Sequence, residues 1–172
     1  VARSTSRALA LVPAGARDIE DAARRCRKVV MKRGLISATA AVVPIPGIDL
    51  AVDVGVLMKM LQEINTEFGL TPEQIELLAP KRRLSAYKAI AAIGSSVIGR
   101  AITREVLSLV VKSVARRLAT KTTVKYAPLA GQAVAAAISF AAIKYIGDRH
   151  IEDCVAVAEL VSGRRARSAH AR

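Results

Sequence analysis

Apolar residues recur along this chain at helical spacing, and no strand-length run alternates apolar with polar positions. From Arg17 to Arg33, the residues Ile19, Ala22, Ala23, Cys26, Val29 and Val30 fall on one side of a helix. Arg24, Arg25, Arg27, Lys28, Lys32 and Arg33 fall elsewhere, which predicts a basic amphipathic helix. Gly34 is expected to break it, with Leu35 to Val43 forming the first arm of a hairpin. The corner is Pro44-Ile45-Pro46-Gly47. Each proline fixes its own φ and pushes the preceding residue out of the helical region, and Gly47 permits a sharp return. The second arm runs from about Ile48 to Phe68 through Val52, Val56, Leu57, Met60, Leu61 and Ile64.

Beyond the hairpin, glycine and proline divide the chain. Phe68-Gly69-Leu70 reads as a helix stop with glycine in the left-handed position. Thr71-Pro72-Glu73-Gln74 restarts a helix at once, with Thr71 as N-cap, proline in the first turn and Gln74 three residues after the cap. That short helix is expected to end at Pro80, leaving Lys81-Arg82-Arg83 as a basic loop. Ser85 would then cap a helix through Tyr87, Ile90, Ile93, Val97 and Ile98, loosened by Gly94 and Gly99. Thr103 would cap another, from Arg104 to Ala119. After a Thr- and Lys-rich loop, Leu129 to Ile146 is almost wholly apolar and rich in alanine. Beyond Gly147 a helix is expected to resume through Ile151, Cys154, Val155, Ala158 and Val161, until Ser162-Gly163 ends it.

The fold class predicted is all-α: a multi-helix bundle built around a hairpin turned by proline and glycine, with no sheet. Its organisation is a flexible arm over 1–16, a single helical domain over 17–162 and a basic disordered tail over 163–172.

Composition changes this picture in two ways. Only 3% of the 172 residues are aromatic while 52% are hydrophobic, so the core must gain from many short contacts at close helix approach. Lys and Arg number 27 against 14 Asp and Glu, a net charge of +13, which favours a polyanionic surface as partner. A membrane span needs about 20 mostly apolar residues. Leu129 to Ile146 nearly reaches that length, but mostly with alanine, and the hairpin carries Asp49, Asp53 and Lys59. Each such charge costs about 3 kcal/mol at a membrane centre, so buried helices are favoured over spans. Cys26 and Cys154 have neither a zinc-binding nor a disulfide-framework spacing and are expected to be free thiols.

Candidate chemistry is sparse. Asp49 and Asp53 stand four residues apart and share a helix face, which suits a metal or acid pair. A structural role fits better, as a cap charge at the positive helix end plus an ion pair with a base such as Arg100 or Arg104, because no third ligand stands at suitable spacing. His150, among Asp148, Glu152 and Asp153, is expected to be a solvated surface residue, and His170 lies in the tail. No phosphate-cradling glycine loop and no nucleophile elbow is present. An enzyme is therefore not expected, nor any metal or cofactor.

Three groups of residues carry a family likeness: Val43-Pro44-Ile45-Pro46-Gly47 followed by Asp53, Phe68-Gly69-Leu70 leading into Thr71, and Tyr126-Ala127-Pro128-Leu129-Ala130-Gly131 followed by Ala137-Ile138-Ser139-Phe140. In this order, over roughly Gly34 to Val161, the chain resembles the C-terminal helical domain of the immunity-related GTPases and a bacterial family of GTPase-associated membrane domains. The resemblance implies an all-helical module that couples a nucleotide-driven switch to membranes. It carries over no active-site residue, because the GTPase domain has no counterpart here.

The expectation is a non-enzymatic module, cytoplasmic and peripheral to or hairpin-inserted at the inner face of an anionic membrane. Arg24, Arg25, Arg27, Lys28, Lys32, Arg33, Lys81, Arg82, Arg83, Arg164 and Arg165 would contact the surface, while Pro44, Pro46, Gly47, Asp49 and Asp53 shape the hairpin. A GTPase acting in trans and a second copy of the chain are further partners to expect. Nucleic acid is less favoured, since stacking aromatics are almost absent.

Overall fold

The computed structural model describes residues 12–40, 48–100 and 128–163, and over these the chain is all-α with no strand. Its helices are α1 (Ala16–Ala40), α2 (Ile48–Glu67), α3 (Pro72–Glu76), α4 (Pro80–Ile93) and α5 (Pro128–Val161). The corner at Pro44, Pro46 and Gly47 lies outside the described residues, as do the side chains of Asp49 and Asp53. So do the expected helix from Thr103 to Ala119, the loop after it, and the tail with Arg164, Arg165 and His170.

Two glycines expected to interrupt helices do not. α1 passes straight through Gly34, and α5 runs unbroken through Gly147 for 34 residues, about 50 Å at 1.5 Å per residue. The reason is close approach rather than backbone freedom. A Cβ on Gly34 would stand 3.0 Å from the Phe140 ring, and one on Gly147 would stand 2.5 Å from a Val30 methyl. With no side chain at either position, α1 and α5 come together along most of their length, and this contact outweighs the helix propensity that glycine lacks. Gly34 against Phe140, Val30 against Gly147, and the 2.6 Å hydrogen bond between the Ser37 and Ser139 hydroxyls make the two helices antiparallel.

α2 lies in the groove they form. Its inner residues Leu57, Met60, Leu61 and Ile64 are fully buried, and Met60 also reaches the backbone at Gly147. Arg25 with Glu67, and Arg33 with Glu63, form ion pairs across the seam between α1 and α2.

The end of α2 turns as its sequence predicts. Gly69 takes φ 66°, Leu70 N–H donates to Asn65 O at 2.8 Å, and Thr71 and Gln74 form a reciprocal capping box at the start of α3. Gln74 also donates to Thr66 O at 3.1 Å, fixing α3 to the helix before it.

The next boundary differs from expectation. Pro80 begins α4 rather than ending α3, so Lys81, Arg82 and Arg83 belong to its first turn and Ser85 lies inside it, donating to Lys81 O at 3.0 Å. Proline lacks the N–H that the first turn leaves unpaired in any case, so it starts a helix more readily than it merely stops one. Three cations at the positive end of a helix are unfavourable, and Glu76 compensates, accepting from Arg83 and from the Tyr87 hydroxyl at 2.6 Å each. α4 ends at Gly94, with φ 73°, so Val97 and Ile98 belong not to the helix but to a loop that folds back into the core. Gly99 N–H closes that loop on Leu70 O at 3.1 Å.

Candidate functional site

Two features of this fold carry chemistry beyond packing: the outward face of α1 and a buried polar cluster where α2 meets α5.

From Ala22 to Ala40, α1 contains six Lys or Arg residues and no acid. The helix sorts them. Arg25 and Arg33 turn toward α2 and its glutamates, so they serve the seam rather than the outer surface. Arg24, Arg27, Lys28 and Lys32 are exposed; Arg24 meets Asp21 at 3.0 Å, while Arg27, Lys28 and Lys32 have no ion pair among the described residues. At 100° per residue, Arg24, Lys28, Met31 and Leu35 stand in one row along the helix, with Arg27 and Lys32 flanking it. Met31 is 43% exposed and Leu35 57% exposed, while Ile36, also exposed, stands at the edge of this surface about 100° round from Leu35. Cations and bare apolar side chains thus alternate on one helical surface. The apolar part is hidden in the sequence, where Gly34 suggests a break and assigns Leu35 and Ile36 to a separate arm.

The second basic group is partly neutralised. Arg83 is held by Glu76, and the Tyr87 hydroxyl followed by the Arg83 guanidinium keeps the Glu76 carboxyl below its ordinary range. Lys81 is exposed and Arg82 half-buried.

A cleft of about 420 Å³ opens between α1 and α2, with Arg25, Lys59, Glu63 and Glu67 around it and Cys26 and Val29 among its lining. Arg25 and Glu67 neutralise each other across it, so it offers an anion little net attraction.

The buried cluster corrects the reading of His150, which is only 5% exposed. Because α5 is continuous through Gly147, positions 143, 147, 150, 154, 157 and 158 form one inward stripe, and His150 sits in its middle. That spacing is present in the sequence; the break expected at Gly147 conceals it. Asn65 of α2 is the ring's partner. Its amide nitrogen donates to Val97 O at 3.3 Å, which leaves Oδ1 facing His150 Nε2 at 2.8 Å, so Nε2 carries the hydrogen in this arrangement. The Cys154 thiol lies 3.8 Å from both Asn65 Oδ1 and His150 Nε2. Burial lowers the His150 pKa to about 4, and burial followed by the neighbouring Cys26 thiol pushes Cys154 well up.

A cysteine, a histidine and an asparagine together suggest nucleophile, base and orienting group, but the geometry does not assemble them in those roles. Thiol and amide both face the same ring nitrogen, whereas a relay needs one at each nitrogen. Cys154 is moreover fully buried, with a pKa shifted away from the reactive thiolate. Both cysteines are free, and no group of three His, Cys, Asp or Glu among the described residues is placed to hold a metal.

Fold and surfaces together define an all-α helical domain with a basic, partly apolar outer face and a polar knot in its core. Comparisons with protein-family models, with curated proteins and with solved structures find no match. No helix among the described residues is long and apolar enough to cross a membrane.

Proposed function

We propose that this protein is a non-enzymatic module that lies peripherally on an anionic membrane surface, at the inner face where acidic lipids meet the cytoplasm, with α1 as the contact. The observation that carries this reading is the interleaving of Arg24, Arg27, Lys28 and Lys32 with exposed Met31 and Leu35 on one face of α1. Charge alone would suit any polyanion. Bare aliphatic side chains among the charges suit the boundary between headgroups and acyl chains, where cations reach phosphate and the apolar residues enter below them. Nucleic acid offers no such layer, and α1 has no aromatic residue on which a base could stack. The resemblance to GTPase-associated helical domains adds a GTPase in trans as a partner for the bound module.

Co-sedimentation with vesicles tests the reading. The protein should pellet with vesicles rich in phosphatidylserine, less with neutral ones, and less again as salt is raised. Each basic residue near such a surface contributes about 1 kcal/mol, so Arg27→Ala/Lys28→Ala/Lys32→Ala should lower the partition constant roughly a hundredfold. Met31→Ser/Leu35→Ser should lower it at every salt concentration, a loss that attraction to a polyanion alone would not show. Failure to pellet with either vesicle at low salt would overturn the proposal.

A further inference from the structure

The cleft between α1 and α2 adjoins the outward face of α1. Its α1 wall includes Arg25 and Val29. At 100° per residue these two share a row with Lys32 and Ile36, which edge the outward face, so the cleft continues that face on the side toward α2. Its α2 wall carries Lys59, Glu63 and Glu67, each one turn from the next. Lys59 and Glu63 stand at the spacing at which lysine and glutamate ordinarily pair along a helix. Here Glu63 accepts instead from Arg33 across the seam, and Lys59 is exposed with no ion pair among the described residues. The Glu63 side chain remains 45% exposed, and a carboxylate that holds one guanidinium has lone pairs for a further donor. Glu67, paired with Arg25, is only 9% exposed. An uncommitted ammonium thus lies one turn from an open carboxylate, while Arg25 and Lys59 balance Glu63 and Glu67 in charge.

We infer that this cleft receives the phosphoethanolamine headgroup of a membrane lipid, with Lys59 on the phosphate and Glu63 accepting from the primary ammonium. A site of balanced charge attracts a simple anion or a simple cation weakly and suits a molecule that carries both. In phosphoethanolamine the two charges are joined by two carbons, a span that matches side chains about 6 Å apart at their Cβ atoms. The volume, about 420 Å³, accommodates one headgroup. Phosphocholine has the same charges, but its quaternary ammonium has no N–H to donate, and the cleft has no aromatic ring to receive it. The inference rests on the membrane reading for the source of the ligand, and it adds the headgroup that the bound module selects.

The test uses vesicles with a fixed share of phosphatidylserine, the remainder being either phosphatidylcholine or phosphatidylethanolamine. The wild-type partition constant should be about tenfold higher with the ethanolamine lipid, the worth of one charge-assisted hydrogen bond. Lys59→Ala and Glu63→Gln should each remove most of that ratio. Glu63→Gln is the sharper variant, because losing a negative charge should strengthen binding to the phosphatidylcholine mixture while the ethanolamine preference disappears. Net charge alone does not produce those opposite movements. Equal pelleting of wild type with both mixtures would overturn the headgroup assignment and leave the membrane reading standing, whereas no pelleting with either would remove that reading and the lipid source with it. An ethanolamine preference that survives in both variants would reflect lipid packing and would also refute the assignment. Should Glu63→Gln fail to fold, NMR titration of wild type with glycerophosphoethanolamine and glycerophosphocholine decides. Backbone signals of residues 59–67 should shift saturably with the first and not the second. Equal or absent shifts would count against the site, and saturable shifts without a vesicle preference would assign the cleft to a soluble phosphoamine instead of a lipid.

Discussion

A single residue type, glycine, shows how one side chain can mean opposite things in this protein. Gly147 lies in the α1–α5 contact, where a Cβ would meet both Val30 methyls at 2.5 and 2.8 Å. Valine is stiff at χ1 and cannot yield as the flexible Met60 can. Gly147→Ala should therefore cost about 1–3 kcal/mol through overpacking, despite alanine's higher helix propensity. Gly55, inside α2, has nothing within 4 Å of its missing Cβ. There the same substitution should stabilise by about 0.5–1 kcal/mol, chiefly by restricting the unfolded chain. Urea midpoints of the two variants, measured together, should move in opposite directions. In the sequence Gly55 lies inside a helical pattern and Gly147 between two, and only the neighbour across the interface decides what each does. His150 makes the same point, since its acidic neighbours in sequence suggest a solvated residue while its helical register places it against Asn65.

Among the elements, those with local chemical signals are legible and those defined by a partner are not. Thr71, Pro72 and Gln74 carry the start of α3 within four residues, and the capping box forms as expected. Thr71→Ala should cost about 1 kcal/mol by leaving the Gln74 N–H without its cap, measurable as a lower thermal midpoint. Gly69 and Gly163 end their helices in the left-handed conformation, again on a local cue. Pro80 is ambiguous because a proline near a helix boundary is compatible with an end or a beginning, and the acceptors offered by Glu76 favour the beginning. The lengths of α1 and α5 are illegible for a different reason. Each is one helix because the other lies along it.

Among the described residues, the interior is built from small and medium side chains, with Phe68 the largest that is fully buried. Cys26 and Cys154 are sealed within it, at 1% and 0% exposure. Alkylation of either thiol by iodoacetamide at neutral pH should consequently be slow in the native protein, accelerating in proportion to the unfolded fraction as urea is added. Rapid labelling without denaturant would show that the core opens locally at these positions. The helical class, the basic character of the Arg17–Arg33 segment and the stops at Gly69 and Gly163 are written in the order of the residues, because periodicity, charge and caps act over a few positions. Three-dimensional packing alone makes Gly34 and Gly147 contact points, commits Arg25 and Arg33 to the α2 seam and buries His150. Each of these depends on which surface arrives from a distant part of the chain, and short-range patterning carries no information about that arrival.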